Sequence, residues 1–189
     1  KLSDLGCDFY GVSLHKWLFA PHGTGLLYVR RNKIKTVWPM MAAKPDQDED
    51  IRKFEEIGTH PAGPALAIAE ALAFHQTIGD ARKEARMRFL RNYWAERLAS
   101  TSDGAAHPVV FHTSFDPRFS CGIATFQLRG IDSGKIVTEL WERHKILANH
   151  IKHEEFEGVR VTPSIYTLTS ELDRFVAAVR QIMKAGLAA

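Results

Sequence analysis

Two short apolar runs near the start of the chain are separated by a polar, glycine-containing segment. The first run covers residues 6–12 and the second covers residues 26–29, and both have the length and residue types of β-strands. Gly23 and Gly25 lie between the runs and permit a sharp turn. The pattern therefore predicts a buried strand, a turn with polar side chains, and a second strand that returns beside the first.

Two helices are predicted to follow. Residues 62–78 are rich in alanine, with apolar residues spaced for one helix face. That inward face would consist of Leu66, Ala69, Leu72 and Ala73. Residues 80–99 form the second helix, whose arginines and lysine we interpret as a solvent-exposed face with side-chain stems covering apolar neighbours.

The remaining residues alternate between short strands and helices. Their apolar runs predict strands at residues 108–111, 121–128, 146–151 and 158–162. Helices are expected at residues 132–144, where Asp132 caps the first turn, and at residues 170–184. This order predicts an α+β layer in which helices cover a sheet.

Composition and charge exclude several classes of protein. The 189 residues carry a net charge of only +3, with basic residues spread among acidic ones, which does not suggest nucleic-acid binding. No apolar run approaches the roughly 18 residues that span a bilayer, so no membrane partner is expected. Cys7 and Cys121 lie in apolar surroundings and are interpreted as reduced, buried thiols, which fits a cytoplasmic location.

Histidines close together in the sequence raise the question of a metal site. His144, His150 and His153 lie within ten residues of one another, but they lack cysteine ligands and the spacing of ligands on one helix. We interpret them as part of a charged surface turn, and no metal is expected.

Three polar residues follow the first predicted strand. Ser13, His15 and Lys16 combine a hydroxyl, an imidazole and an amine beside flexible glycine backbone. Burial and neighbouring cations lower the pKa of a lysine and free its lone pair for attack on a carbonyl. On residue chemistry alone, a Schiff-base lysine beside a phosphate site is one hypothesis for this segment.

Two further residues have alternative interpretations. Thr59 precedes a predicted helix, so it either caps that helix or presents its hydroxyl to an anion at the helix N-terminus; the two roles are compatible. Arg160 lies in a predicted strand, where it either pairs with a local glutamate or binds a carboxylate through its guanidinium fork.

A family resemblance joins these features. The segment that carries it reads Ser13-Leu14-His15-Lys16-Trp17, followed by Ala20-Pro21-His22-Gly23-Thr24-Gly25-Leu26-Leu27-Tyr28-Val29-Arg30. It resembles the cofactor-lysine segment of class V aminotransferases, which are fold-type I enzymes dependent on pyridoxal 5′-phosphate (PLP). The resemblance is greatest to the isopenicillin-N-epimerase-like branch, and it continues through Gly58-Thr59 and through Arg160 to Tyr166.

The resemblance implies a fold and a division into domains. We expect an α/β protein that corresponds to a C-terminal fragment of the family fold. Residues 1–80 would be the remnant of the PLP-binding large domain, and residues 81–189 would form the α+β small domain. The upstream part would supply the glycine-rich phosphate loop, the group that stacks on the PLP ring and the Asp that pairs with its pyridine nitrogen.

The resemblance also implies roles for single residues. Lys16 would form the Schiff base with PLP and act on the Cα proton of an amino-acid substrate, while Ser13 and His15 would bind the cofactor phosphate. Thr59 would reach the cofactor of the partner subunit in a homodimer. Arg160 would bind the α-carboxylate of the substrate.

The reaction itself stays open between several possibilities. A transaminase or an epimerase is expected, with a PLP-dependent lyase, a desulfurase-like enzyme or a non-catalytic fragment as alternatives. A desulfurase of the usual kind is disfavoured, because no cysteine lies between residues 146 and 159 and because Cys121 lies inside a predicted strand.

Overall fold

The first of two compact units in the chain ends at Ile78, and the second begins at Gly79. The computed structural model describes residues 2–188. The first unit contains the helices α1 (Leu2–Leu5), α2 (Gly63–Leu66) and α3 (Ile68–Ile78), and the strands β1 (Phe9–Ser13) and β2 (Gly25–Val29). Three short 3₁₀ helices lie between β2 and α2, at Arg31–Thr36, Pro45–Gln47 and Ile51–Phe54.

The strands β1 and β2 form as predicted, but the expected burial of β1 is wrong. They pair antiparallel, from Phe9 opposite Val29 to Ser13 opposite Gly25. The apolar side chains of Phe9, Tyr10, Val12, Leu26 and Leu27 are 38–51% exposed. The reason is that β1 and β2 form a two-stranded sheet within the described residues, which leaves few groups to cover its faces.

The helical segment that precedes Gly79 also differs in its burial from the expectation. It is divided into α2 and α3, and the predicted inward face is wrong, since Leu66 is 74% and Leu72 is 42% exposed. Ala71 is the buried residue of α3. Periodicity identifies an apolar face, but burial also requires a partner surface, and the first unit supplies little of it.

The second unit is a four-stranded antiparallel sheet with helices. Its strands are β3 (Val109–Phe111), β4 (Ala124–Leu128), β5 (Asn149–Lys152) and β6 (Glu157–Val161), and their order in the sheet is β3-β4-β6-β5. The helices are α4 (Asp80–Ala99), α5 (Ser133–His144) and α6 (Thr169–Ala185). The predicted order of strands and helices is confirmed, and the mixed α/β character agrees with the predicted fold class.

The core of the second unit lies between its helices and one face of the sheet. Trp94 of α4, Phe126 of β4 and Phe175 of α6 meet with ring centroids 5.5–6.0 Å apart. Val159 of β6 and Ile136 of α5 belong to the same fully buried cluster. Alternate residues of β4 and β6 therefore face this core, and the residues between them face the opposite side of the sheet.

The arginine-rich face of α4 is not uniformly exposed, which corrects the sequence interpretation. Arg91 is 1% exposed and Lys83 is also buried. The guanidinium of Arg91 donates hydrogen bonds to the carbonyls of Ser114 and Cys121 and to Ser120 Oγ. Burial lowers the pKa of Arg91, and the neighbouring Arg88 adds to this effect. The connection between β3 and β4 packs on the helix, and its carbonyl groups require donors.

Two further findings concern single elements. Asp132 caps α5 as predicted, because its Oδ1 accepts a hydrogen bond from the backbone N–H of Lys135 at 2.9 Å. Among residues 2–188, no helix has both the length and the apolar character needed to cross a bilayer.

Candidate functional site

The turn that connects β1 to β2 carries three of the predicted site residues. Backbone hydrogen bonds close it: the N–H of Leu14 donates to Thr24 O at 3.0 Å, and the N–H of Ala20 donates to Leu14 O at 3.2 Å. Within this closed loop, the N–H of Phe19 donates to Lys16 O at 3.2 Å. Ser13 ends β1, so the structure places its hydroxyl next in sequence to the turn that presents His15 and Lys16.

The imidazole of His15 has an orientation fixed by the backbone. Its Nδ1 lies 3.3 Å from Thr24 O, and Thr24 is held in turn by a 2.7 Å hydrogen bond from its Oγ1 to Pro21 O. A carbonyl oxygen only accepts hydrogen bonds, so this contact is a hydrogen bond in the tautomer whose proton is on Nδ1. The ring of His22 packs edge-on against His15, with centroids 5.7 Å apart.

Two unusual backbone conformations shape the same turn. Phe19 has a φ of 65°, in the left-handed region that residues other than glycine rarely adopt, and Gly23 has a φ of 84°. The ring of Phe19 lies 6.1 Å from that of Phe74 on α3. The conformation of Phe19 is therefore strained, whereas that of Gly23 is ordinary for glycine; such strain persists where the surrounding structure holds it and is concentrated at functional sites.

Lys16 is not buried, although a lysine with a lowered pKa would be expected to lie away from solvent. Lys16 and Trp17 are exposed, whereas Ala20 and Thr24 at the base of the turn are buried. The turn therefore presents the amine at the surface of the first unit.

Thr59 lies on a separate loop of the first unit. The preceding residue, Gly58, has a φ of 77°. The distance between His60 Nδ1 and Gly58 O is 2.9 Å. Thr59 is exposed and lies four residues before α2, whose N-cap residue is Ala62. The helix-capping alternative for Thr59 is therefore wrong, and its hydroxyl is accessible from solvent.

Arg160 lies in the second unit, on β6. Thr125 of β4 and Asn149 of β5 are its directly opposite neighbours in the sheet. Its Nε is buried and has no hydrogen-bond partner among residues 2–188. The alternative of a pair with a local glutamate is not found in the described part of the chain.

Cys121 does not lie in a strand, which corrects the sequence prediction. The strand β4 begins at Ala124, and Cys121 belongs to the connection that packs on α4 through Arg91. The signal that could have indicated the burial of Arg91 is its spacing, because Arg91 lies on the same helix face as Met87, Trp94 and Leu98. The histidines at 150 and 153 are exposed, and no group of three metal-ligating side chains is found among the described residues.

Comparison with known protein families decides the classification. The sequence profile described as Aminotransferase class-V matches residues 1–170. The chain belongs to the class V aminotransferase family. The predicted family is thereby confirmed, and PLP is the cofactor of this family.

Curated relatives from two branches of the class V family match nearly the whole chain. The chain is 29% identical to isopenicillin N epimerase from Streptomyces clavuligerus over 194 residues, which cover 94% of the chain and 48% of that protein. It is 25% identical to a cysteine desulfurase from Klebsiella pneumoniae subsp. pneumoniae, with 95% of the chain and 47% of that protein covered. The chain thus spans about half the length of the curated relatives it matches.

Solved structures of class V enzymes share the fold. The cysteine desulfurase of Thermococcus onnurineus superposes with a TM-score of 0.80 at 21% identity, covering 96% of this chain and 48% of that one. A variant of the enzyme C-DES, which holds glycine covalently linked to its PLP, superposes with a TM-score of 0.71 at 20% identity, covering 95% and 47%.

The side chains of the β1–β2 turn fit PLP by their chemistry. An amine suits the aldehyde of the cofactor, and a hydroxyl with an imidazole suits its phosphate dianion. The donor set of Ser13, His15 and Lys16 is therefore compatible with the cofactor of the family.

Proposed function

We propose that this chain is part of a PLP-dependent enzyme that acts on an amino acid or amine through a covalent bond between Lys16 and the cofactor. The observation that carries the proposal is the β1–β2 turn, in which an amine, an imidazole and a hydroxyl lie within four residues of one another. The membership of the class V family supports it.

Each residue of the turn has one task in this proposal. PLP supplies an aldehyde and an electron-withdrawing ring that acidifies the Cα–H of a bound amino acid. Lys16 holds the cofactor, and after displacement by the substrate its amine accepts and returns the Cα proton. Ser13 and His15 bind the phosphate and so fix the distance from the ring to Lys16.

Arg160 binds the substrate carboxylate in the proposed enzyme. Its guanidinium pairs with no carboxylate among the described residues, so the N–H groups at its tip are available for a bidentate pair with the substrate. Such bidentate pairing orients the amino acid, which determines the bond at Cα that is broken.

The assembly and the domains are part of the same proposal. We assign residues 1–80 to a PLP-binding large domain and residues 81–189 to a small domain. The exposed Thr59 reaches the cofactor phosphate of a second copy in a homodimer, and the positive φ of Gly58 sets the direction of the loop before it. The rest of the family length would supply the groups that contact the PLP ring.

The reaction is a transamination or an epimerisation in this proposal. The relatives also include cysteine desulfurases, but residues 146–159 contain no cysteine, so the segment before Arg160 lacks a sulfur acceptor. A PLP-dependent elimination is the second candidate, because it uses the same proton transfer by Lys16.

Borohydride reduction tests the central assignment. The full-length protein with PLP should show a visible absorbance band that reduction removes, and mass spectrometry should then find the cofactor on the peptide with Lys16. Lys16→Ala should abolish both signals. Lys35→Ala, at an exposed lysine of the same unit, is the control and should keep both. A label at another lysine would refute the proposal.

Substrate screening distinguishes the candidate reactions. Amino donors with pyruvate or 2-oxoglutarate report transamination through the new amino acid. Inversion of configuration at Cα without a keto-acid acceptor reports epimerisation, and a released keto acid with a β-leaving group reports elimination. An enzyme with the Lys16 adduct but without any of these products would contradict the proposed activity and not the cofactor assignment.

A further inference from the structure

A row of polar residues crosses the sheet of the second unit at Arg160. Antiparallel pairing places Thr125 opposite Arg160 on one side and Asn149 opposite it on the other. Directly opposite residues share a sheet face, with Cβ atoms about 4.5–5.5 Å apart. Since Val159 faces the buried core, the row faces away from it. Asn149 is exposed and thus within reach of a ligand on this face.

The charges in this row suit an anion. It contains one cation and two neutral polar side chains, and Arg160 Nε is buried without a partner among residues 2–188. An acidic side chain at position 149 would neutralise Arg160, whereas an amide leaves the positive charge available and adds an N–H donor beside it. A carboxylate has about four acceptor positions, so it can accept from both residues.

We propose that Asn149 is a second ligand of the substrate carboxylate, which its amide N–H binds beside Arg160. This inference rests on the proposed function, and it adds the residue that fixes the rotation of the carboxylate about the axis to Arg160. Asn149 would thereby contribute to the choice of substrates with a free carboxylate over amines without one.

Two reagents measure the contribution of the carboxylate without knowledge of the natural substrate. Aminooxyacetate and O-ethylhydroxylamine both displace Lys16 from the aldehyde carbon of bound PLP, and the lysine amine leaves with the transferred proton. Only aminooxyacetate carries a carboxylate. The ratio of their second-order rate constants, followed by loss of the visible band of the full-length holoenzyme, is the carboxylate preference.

The variants are chosen to separate charge, hydrogen bonding and folding. Arg160→Gln should lower the preference about 100-fold, because it removes a charge-assisted pair. Asn149→Ala should lower it about tenfold, which is the loss of one hydrogen bond to a charged group. Asn149→Asp should lower it as much as Arg160→Gln. The rate constant of O-ethylhydroxylamine serves as the reference within each variant, so a general change in the reactivity of the cofactor cancels from the preference.

Asn32→Asp is the matched control, since it makes the same amide-to-acid change at an exposed residue of the other unit and should keep the wild-type preference. If Asn149→Asp does not fold, Asn149→Ala carries the test. Wild-type preference in the Asn149 variants, with a loss in Arg160→Gln, would overturn the inference and leave the proposed function intact. No loss in Arg160→Gln would overturn the inference together with the proposed role of Arg160, whereas no reaction of either reagent would overturn the inference together with the cofactor assignment.

Discussion

Arg91 is the residue whose environment differs most from its expected one. The side chain is fully buried, and its donors reach two carbonyls and one hydroxyl of the connection between β3 and β4. The ring of Phe115 also lies 5.5 Å from the guanidinium. Arg88 assists by donating to Pro117 O and Ser120 O. The two arginine side chains therefore donate the hydrogen bonds that these carbonyl groups would receive from a neighbouring strand in a sheet.

Removal of the Arg91 guanidinium should therefore destabilise the fold. Arg91→Leu leaves buried carbonyls without donors, and we expect a loss of about 3 kcal/mol in the free energy of unfolding. Urea unfolding measures this loss. Arg82→Leu makes the same change at an exposed position of the same helix and should cost less than about 0.5 kcal/mol. Equal effects of the two variants would show that the buried contacts contribute nothing.

At the residue scale, the positions of the candidate residues along the chain were easier to predict than their burial. Ser13, His15 and Lys16 lie together because they are adjacent in sequence at the end of β1. The exposure of Lys16 could not be read from its neighbours, because burial depends on elements distant in sequence. The same limit explains Arg91, which is covered by residues about thirty positions later.

At the element scale, α5 offers a test of the charge at its N-terminus. The hydrogen bond from the N–H of Lys135 holds the pKa of Asp132 below its usual value. A carboxyl group whose pKa is lower in the folded state than in the unfolded state stabilises the fold at every pH above its unfolded pKa of about 4. This stabilisation is lost as the pH falls through the pKa of the folded state.

Asp132→Asn keeps an acceptor at the cap of α5 but removes the charge. The variant should be less stable than the wild type at pH 7, and the difference should shrink as the pH falls below about 4. Urea midpoints between pH 7 and pH 3 measure it. Asp132→Ala, which removes the acceptor as well, should be the less stable variant at neutral pH. A difference that does not change with pH would contradict the assigned role of the charge.

The contact between β4 and β6 gives the next prediction. A Cβ on Gly158 would lie 2.6 Å from Thr125 Cγ2 and 2.8 Å from Phe126 O, so the two strands would have to separate. Gly158→Ala should cost about 1–3 kcal/mol of unfolding free energy, the usual cost of overpacking. Chemical denaturation measures this cost.

Gly11→Ala is the strand control for Gly158→Ala. No heavy atom lies within 4 Å of a Cβ built on Gly11, and its φ is not positive. We expect a change below about 0.5 kcal/mol. If Gly158→Ala were as mild as this control, the close approach of β4 and β6 would have no energetic consequence.

Elements with local signals were predicted well, and those that depend on distant partners were not. The helices α4 and α5 have the expected bounds because Gly79 and Asp132 mark their starts. The strand β4 begins three residues later than expected, since the carbonyl of Cys121 accepts a hydrogen bond from Arg91 of α4 and Gly122 lies against Met87 of the same helix. Apolar character indicates burial, and it does not identify the surface that provides it.

At the scale of the whole molecule, the two units differ in the size of their cores. The large buried cluster, with Trp94, Phe126, Val159 and Phe175 at its centre, lies entirely after Gly79. The buried apolar residues of the first unit are Ala20, Val29, Ile34 and Ala71. A two-stranded sheet with exposed apolar faces is marginal by itself in water.

Residues 79–189 should therefore fold alone, whereas residues 1–78 should not. The larger fragment should unfold cooperatively in urea, with the fluorescence of the buried Trp94 and the helical circular dichroism changing together. The smaller fragment should show a shallow transition, with its Trp38 exposed from the start. Cooperative unfolding of the smaller fragment would mean that its local turns and 3₁₀ helices stabilise it without a core. A fragment 79–189 that lacks a cooperative transition would mean that the buried cluster depends on the preceding residues.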